Sequence, residues 1–114
     1  YPTLASMCGL EAQQRLQGKD VSKMLDDPAH SVREAAFCVA PSRKGFLLRE
    51  EDWSYIQYGE KAEKGIELFD MKKDPKQYDN LAKKKEYLPV VKAFKKKMAT
   101  KLASIRENDL KKKK

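Results

Sequence analysis

The amino-acid sequence predicts an α+β fold: a small antiparallel sheet of about four strands, one long amphipathic C-terminal helix packed on it, and a short helical N-terminal arm. Three observations indicate this fold. Short apolar runs with strand character follow one another between residues 35 and 70, apolar residues then recur at helical spacing, and two short helix-like segments precede the strands. A chain of 114 residues is long enough for a single hydrophobic core.

Two short helices are expected in the N-terminal arm. The first covers residues 4–8, with Thr3 as its N-cap and Gly9 as its C-terminal stop. The second begins after Asp20, which can cap it, and ends at Pro28. Neither helix is long enough to be stable alone, so both need a surface to pack against.

Four strands are expected in the middle of the chain, at residues 35–40, 45–49, 53–58 and 66–70. The acidic segment 50–52 is short enough to be a hairpin connection. Because strands that follow one another with short links usually pair with each other, the strands should form an antiparallel meander.

The C-terminal helix has the clearest pattern. Its apolar residues recur at spacings of three and four over about five turns, and Pro89 fits in the first turn, where its missing N–H breaks no helical hydrogen bond. The lysines fall mostly between the apolar positions, so the helix should have one apolar stripe and one basic side. The stripe consists of Tyr87, Val90, Val91, Phe94, Met98, Leu102 and Ile105.

The positive charge is concentrated in the last third of the chain. Residues 1–82 carry 12 basic and 14 acidic side chains, whereas residues 83–114 carry 13 basic and 3 acidic ones. Such a block can bind polyanions by releasing counterions, and the alternative is a solvated helix face followed by a frayed tail. Twelve of the thirteen basic residues are Lys rather than Arg, and Trp53 lies outside the block, which disfavours specific nucleic-acid recognition.

Few residues are suited to metal binding or nucleophilic catalysis. The two cysteines, Cys8 and Cys38, are too few for a disulfide framework or a structural zinc site, and their apolar neighbours predict buried thiols. His30 is the only histidine, and the sequence has no glycine-rich phosphate loop. We therefore expect no catalytic residue and no metal site in this chain. No apolar run approaches the roughly 20 residues of a membrane-spanning helix, so no membrane partner is expected.

Several short motifs follow one another along the chain. They are YPTL at residues 1–4, LQGK at 16–19, MLDDP at 24–28, GFLLREEDWSYIQY at 45–58, ELFD at 67–70 and DPKQYDNLA at 74–82. In this order they resemble the late part and the small C-terminal subdomain of formylglycine-dependent sulfatases. The sequence is most similar to the bacterial branch of that family that resembles iduronate-2-sulfatase.

The resemblance covers residues 1–110 and implies a domain organisation. Residues 1–30 would be a helical arm belonging to the end of the sulfatase main domain, residues 31–110 the C-terminal subdomain, and residues 111–114 a disordered basic tail. The catalytic domain, with its formylglycine residue and calcium ion, would be absent, so the chain alone is predicted to hold no cofactor and to be inactive. The family is usually exported or lysosomal, and no signal is expected within this chain.

The resemblance also implies one candidate substrate contact. Arg43 and Lys44 follow the first strand, in a loop that in this branch reaches towards the substrate entrance, where they could bind the carboxylate or sulfate of an acidic sugar. The alternative is an ordinary exposed loop.

The run from Cys38 to Arg43 reads C-x-x-P-S-R, one residue longer than the family's C-x-P-S-R signature, so Cys38 is expected to be an unmodified, buried strand residue. Trp53 and Tyr55 are expected to pack in the sheet core, with a sugar-stacking surface as the alternative.

Three functions are compatible with these features. The favoured one is the non-catalytic C-terminal part of a sulfatase, which completes the enzyme's fold, forms part of its substrate cleft and has the missing catalytic domain as its partner. The second is a lysine-rich module that binds nucleic acid or a sulfated polysaccharide. The third is a small self-associating protein, because a subdomain without its neighbour should expose apolar side chains. Those side chains are Leu4, Met7, Val21 and Leu25.

Overall fold

The structure is a computed structural model that describes residues 1–41 and 44–106. The described residues divide into two compact units, residues 1–34 and residues 35–106. The predicted boundary after residue 30 stays a prediction, and the predicted tail at residues 111–114 lies outside the described residues. None of the described helices is long and apolar enough to cross a membrane.

The first unit contains two short helices, α1 (Pro2–Met7) and α2 (Lys23–Asp26). Helix α1 ends in a Schellman motif, in which the backbone N–H of Leu10 donates to the carbonyl of Ala5 at 2.8 Å. This motif needs a left-handed residue after the helix, and Gly9 supplies it with a φ of 68°. The predicted stop at Gly9 is confirmed.

The two predicted N-caps are wrong. The N-cap of α1 is Tyr1, which makes no side-chain capping bond. Thr3 lies inside the helix, and its hydroxyl accepts a hydrogen bond of 3.1 Å from the backbone N–H of Val21. The N-cap of α2 is Ser22, and the Asp20 carboxylate accepts a hydrogen bond of 2.8 Å from the Ser22 N–H. Asp20 thus forms a local turn that precedes the helix instead of capping it.

The second unit contains a four-stranded antiparallel meander. Its strands are β1 (Ala36–Val39), β2 (Gly45–Arg49), β3 (Trp53–Tyr58) and β4 (Gly65–Asp70), and they lie side by side in this order. The predicted meander is confirmed, and β2 and β3 have the predicted bounds. Strand β1 is one residue shorter than predicted at each end.

One face of the sheet, here called the inner face, forms the core. The register brings Leu48, Tyr55 and Leu68 next to one another across three strands, and each is 4% exposed or less. Since side chains alternate along a strand, Phe46 lies on the same face as Leu48, and it is also buried. The neighbouring Leu47 points to the opposite face, here called the outer face.

The long helix α3 (Leu88–Arg106) packs on the inner face and follows one turn of 3-10 helix at Lys85–Tyr87. The Phe94 ring stacks on the Tyr55 ring, with centroids 5.4 Å apart and planes 14° apart. Met98 has no exposed surface. The predicted amphipathic helix and the α+β fold class are therefore confirmed. The buried helix residues are Val91, Phe94, Met98 and Leu102.

Asn80 ties the connection after β4 to the sheet. Its side-chain oxygen accepts hydrogen bonds from the backbone N–H groups of Leu68, at 3.1 Å, and Ala82, at 3.0 Å. The buried Leu81 donates its backbone N–H to the Leu68 carbonyl at 2.8 Å. The ELFD and NLA motifs of the sequence thus meet in space, which gives their occurrence together a structural reason.

Candidate functional site

The loop between β1 and β2 contains the two predicted substrate-binding residues. Arg43 lies outside the described residues. Lys44 is exposed, and among residues 1–41 and 44–106 its side chain has no ion-pair partner. Its backbone carbonyl accepts a hydrogen bond of 2.6 Å from the N–H of Gly59, which lies in the loop between β3 and β4. The two loops therefore meet at the same end of the sheet.

The backbone at the base of the β1–β2 loop is fixed by a hydrogen bond and by close packing. The Ala40 N–H donates to the Gly45 carbonyl at 2.9 Å, so the strand pairing continues to the first residue of β2. Gly45 is buried, and a Cβ atom there would lie 3.3 Å from the Cβ of Ala40 and 3.6 Å from the ring of Tyr58. A larger residue would push these neighbours apart. Lys44 therefore extends from a base that the sheet holds in place.

A buried polar network supports the β3–β4 loop. The Gln57 side chain, 2% exposed, donates to the carbonyls of Gly59 at 3.0 Å and Glu60 at 2.8 Å, and it accepts a bond of 3.0 Å from the Tyr55 hydroxyl. Burial raises the pKa of Tyr55 to about 12. Sequence reasoning missed Gln57, although its spacing of two from Tyr55 places both residues on one face of a strand.

Trp53 and Tyr55 pack in the core, as expected from the sequence. Tyr55 has no exposed surface and stacks on Phe94. Trp53 is partly buried and meets the Tyr87 ring edge to face, with centroids 6.0 Å apart. Because a sugar-stacking ring needs an open face, Tyr55 cannot fill the alternative role of a sugar platform.

The outer face of the sheet has an apolar and partly open patch, and Glu67 of β4 lies on the same face opposite Ile56. Cys38 lies on this face opposite Leu47, and Ile56 follows on the next strand. A shallow depression of about 270 Å³ over these residues is also bordered by Val39 and Tyr58, which are 44% and 38% exposed. The prediction that Cys38 is buried is wrong, because β1 is an edge strand and α3 covers only the inner face.

Neither cysteine has a metal-binding environment in the described part of the chain. Cys8 was also predicted to be buried and is exposed, directly after α1. Within residues 1–41 and 44–106, no group of three His, Cys, Asp or Glu side chains could hold a metal ion. The described residues thus offer no fitting donor set for the calcium ion that the sulfatase resemblance implies, and no catalytic step is assigned to that ion. The absence of a cofactor from this chain stays a prediction.

The fold matches part of several solved sulfatase structures. A putative sulfatase from Bacteroides thetaiotaomicron VPI-5482 gives a TM-score of 0.74 at 23% identity over 90% of this chain. A 2-O GAG sulfatase gives 0.76 at 21% identity over 98% of this chain. A third protein, solved in complex with its substrate D-glucosamine-2-N,6-O-disulfate, gives 0.73 at 24% identity over 99%. This chain covers 23%, 25% and 25% of these three chains.

This chain therefore has the fold of one part of a sulfatase. The family model described as N-sulphoglucosamine sulphohydrolase, C-terminal, matches residues 1–104, and the chain belongs to this family. The predicted sulfatase C-terminal subdomain is confirmed. The finer assignment to the branch that resembles iduronate-2-sulfatase stays a prediction. A search of curated proteins gave no significant match.

Proposed function

We propose that this chain is the C-terminal subdomain of a larger sulfatase, and that it completes the enzyme's fold and forms one wall of the substrate cleft. The main support is its length, which is about a quarter of each sulfatase chain that it matches. The formylglycine nucleophile and the divalent cation implied by the resemblance would belong to the rest of the enzyme. The chain alone would hydrolyse nothing.

The outer face of the sheet would pack against the catalytic domain. Helix α3 already covers the inner face, and an open apolar patch on a protein surface is typical of an interaction site. Leu47 and Ile56 are only partly buried on the outer face, and Tyr58, two residues after Ile56 on the same face, is exposed. A domain that docks there would also cover Cys38, which explains why a cysteine with apolar neighbours is exposed in this chain.

The β1–β2 loop would form the anion-binding part of the cleft wall. Lys44 is exposed on a backbone that Gly59 anchors, and Arg43 precedes it in the sequence. A guanidinium group can bind a carboxylate or a sulfate through two parallel N–H bonds, and an ammonium group adds a second positive charge. Two structural relatives are described with GAG or sulfated glucosamine substrates, so we propose a sulfated saccharide as the substrate class.

Charged substitutions on the outer face test the docking. Leu47→Lys with Ile56→Lys should leave the isolated chain folded, because both side chains are partly exposed. In the complete sulfatase the same pair should lower both the melting temperature and the yield of active enzyme, since moving two ammonium groups from water into an apolar interface costs free energy. The matched pair is Tyr78→Lys with Leu88→Lys, at positions 83% and 50% exposed. Equal effects of the two pairs, or no effect of the outer-face pair, would contradict the proposal.

Steady-state kinetics test the cleft wall. In the complete sulfatase, Arg43→Ala and Lys44→Ala should raise KM for a sulfated saccharide and leave kcat unchanged, because a wall contact binds the ground state and the transition state alike. Lys64→Ala removes an exposed lysine from the β3–β4 loop and should change neither constant. An unchanged KM in both loop variants would remove these residues from the cleft.

A second candidate function, self-association, is favoured by one observation. In the N-terminal unit Leu4, Met7 and Leu25 are 69%, 61% and 70% exposed, and Val21 is 38% exposed. A second copy could cover these side chains in the isolated chain. Sedimentation that shows a monomer across a wide concentration range would exclude this function.

A further inference from the structure

Helix α3 is basic along its length and has no acidic residue. Leu88–Arg106 contains five Lys and one Arg and neither Asp nor Glu. Lys92, Lys95 and Lys96 are all exposed, and their spacings of three and four residues place them next to one another on the helix surface. Since the helix rises about 1.5 Å per residue, the three ammonium groups start from backbone positions within about 6 Å of one another along the axis.

These three lysines differ from the other basic residues around the helix. Lys97 binds Glu50 at 2.6 Å and lies over the Phe94 ring, and Arg106 binds Glu60. Lys101 lies over the Phe37 ring. In the described part of the chain, the group formed by Lys92, Lys95 and Lys96, here called the lysine cluster, has no ion-pair partner.

We propose that the lysine cluster binds a sulfated polysaccharide, as a non-catalytic contact that holds a polymeric substrate on the enzyme. The proposal rests on the proposed function only for the choice of a sulfated polymer. Its physical basis is charge complementarity: closely spaced ammonium groups bind a linear polyanion and release the counterions condensed on it.

A sulfated polysaccharide fits this surface better than a nucleic acid does. Proteins that bind single-stranded nucleic acid combine basic side chains with exposed aromatic rings on which bases stack. Phe94, the one aromatic residue of α3, is 3% exposed and already stacks on Tyr55. Base edges are usually read by the planar fork of Arg, whereas the cluster consists of lysines, which act as point charges.

The size of the effect follows from counterion release. With roughly 0.7 to 0.9 counterions released per contact, three lysines contribute about 2.1 to 2.7 to the slope of log Kd against log salt concentration. Between about 50 and 200 mM salt, that slope weakens binding by about 20- to 40-fold. A variant without the cluster loses this part of the salt dependence.

Heparin, as a sulfated polysaccharide probe, tests the proposal with the chain of residues 1–114. The cluster variant is Lys92→Gln, Lys95→Gln, Lys96→Gln, and the matched control is Lys64→Gln, Lys73→Gln, Lys76→Gln. The control lysines are exposed elsewhere in the same unit, and both variants have the same net charge. The native chain and the control should bind heparin with a similar slope, whereas the cluster variant should bind at least about 10-fold more weakly at 50 mM salt, with a slope lower by about 2.

Three results would overturn the proposal. They are no measurable heparin binding, equal losses in the two variants, and tighter binding of a single-stranded DNA of equal charge than of heparin. Circular dichroism of the cluster variant establishes that the helix is intact, so a weaker complex reports on binding. Heparin binding is measured without any hydrolysis. A failure of this proposal can therefore be told apart from a failure of the proposed function, which the docking and KM experiments on the sulfatase test.

Discussion

Replacing Phe94 by alanine should remove much of the stability of the unit formed by residues 35–106. The ring is 3% exposed and stacks on Tyr55 at 5.4 Å. Burial of a side chain of this size contributes about 1.5 to 3 kcal/mol, and the aromatic pair adds about 0.5 to 1.5 kcal/mol. With the cavity left by the truncation, the free energy of unfolding should fall by about 3 to 5 kcal/mol. Small domains often have only about 5 kcal/mol in total, so the variant should be close to unfolding.

Urea unfolding followed by the fluorescence of Trp53 measures this loss. Trp53 meets Tyr87 at the start of the same core, so its emission reports on the unit that contains Phe94. With a urea dependence of roughly 1 to 1.5 kcal/mol per M, the midpoint should fall by about 2 M or more. The control is Tyr78→Ala, at a position 83% exposed, which should change stability by less than about 0.5 kcal/mol.

The comparison of the two truncations also shows which result would refute the reasoning. If Phe94→Ala lies within about 1 kcal/mol of Tyr78→Ala, the ring does not fill the core, and the packing of α3 on the inner face of the sheet is wrong.

Three further predictions follow from local contacts. Tyr55→Phe should lower stability by about 1 to 3 kcal/mol at neutral pH, because the Gln57 side-chain oxygen loses its donor. Since burial raises the pKa of Tyr55 from its ordinary value of 10 to about 12, the wild type should lose stability relative to Tyr55→Phe as the pH rises from 10 to 12, which unfolding at the two pH values measures. Asn80→Ala should lower stability by about 1 to 3 kcal/mol, because the buried Leu68 N–H loses its acceptor, and faster exchange of that amide would show it. Gly9→Ala should destabilise the end of α1 by about 1 kcal/mol through its φ of 68° alone, since no atom lies near the added Cβ, and circular dichroism measures the lost helix.

The sheet and the long helix could be predicted because their local patterns agree with their packing. Gly45–Arg49 and Trp53–Tyr58 are bounded by a turn or an acidic link, and each is a short run rich in the apolar and aromatic residues that strands favour. The spacing of Val91, Phe94, Met98 and Leu102 gives one helical stripe, and that stripe is what the helix buries.

Other features depend on contacts between segments that are distant in the sequence. Thr3 has the composition of an N-cap, but its hydroxyl is used by the Val21 N–H from the next segment. Cys38 has apolar neighbours, but its exposure is decided by the position of β1 at the sheet edge and by the face that α3 covers. The bonds of Gln57 depend on the path of the β3–β4 loop, which no residue pattern specifies. For the candidate site, the structure shows that Lys44 lies in an exposed loop. Its role in substrate binding stays a prediction.

The central claim is that this member of a sulfatase C-terminal family supports an enzyme whose chemistry lies in the rest of that enzyme. The most direct measurement is the hydrolysis of an aryl sulfate by the purified chain in the presence of calcium, with Cys38→Ser as the comparison. We predict no turnover above the protein-free rate for either protein. Clear turnover by the native chain that disappears in Cys38→Ser would contradict the claim.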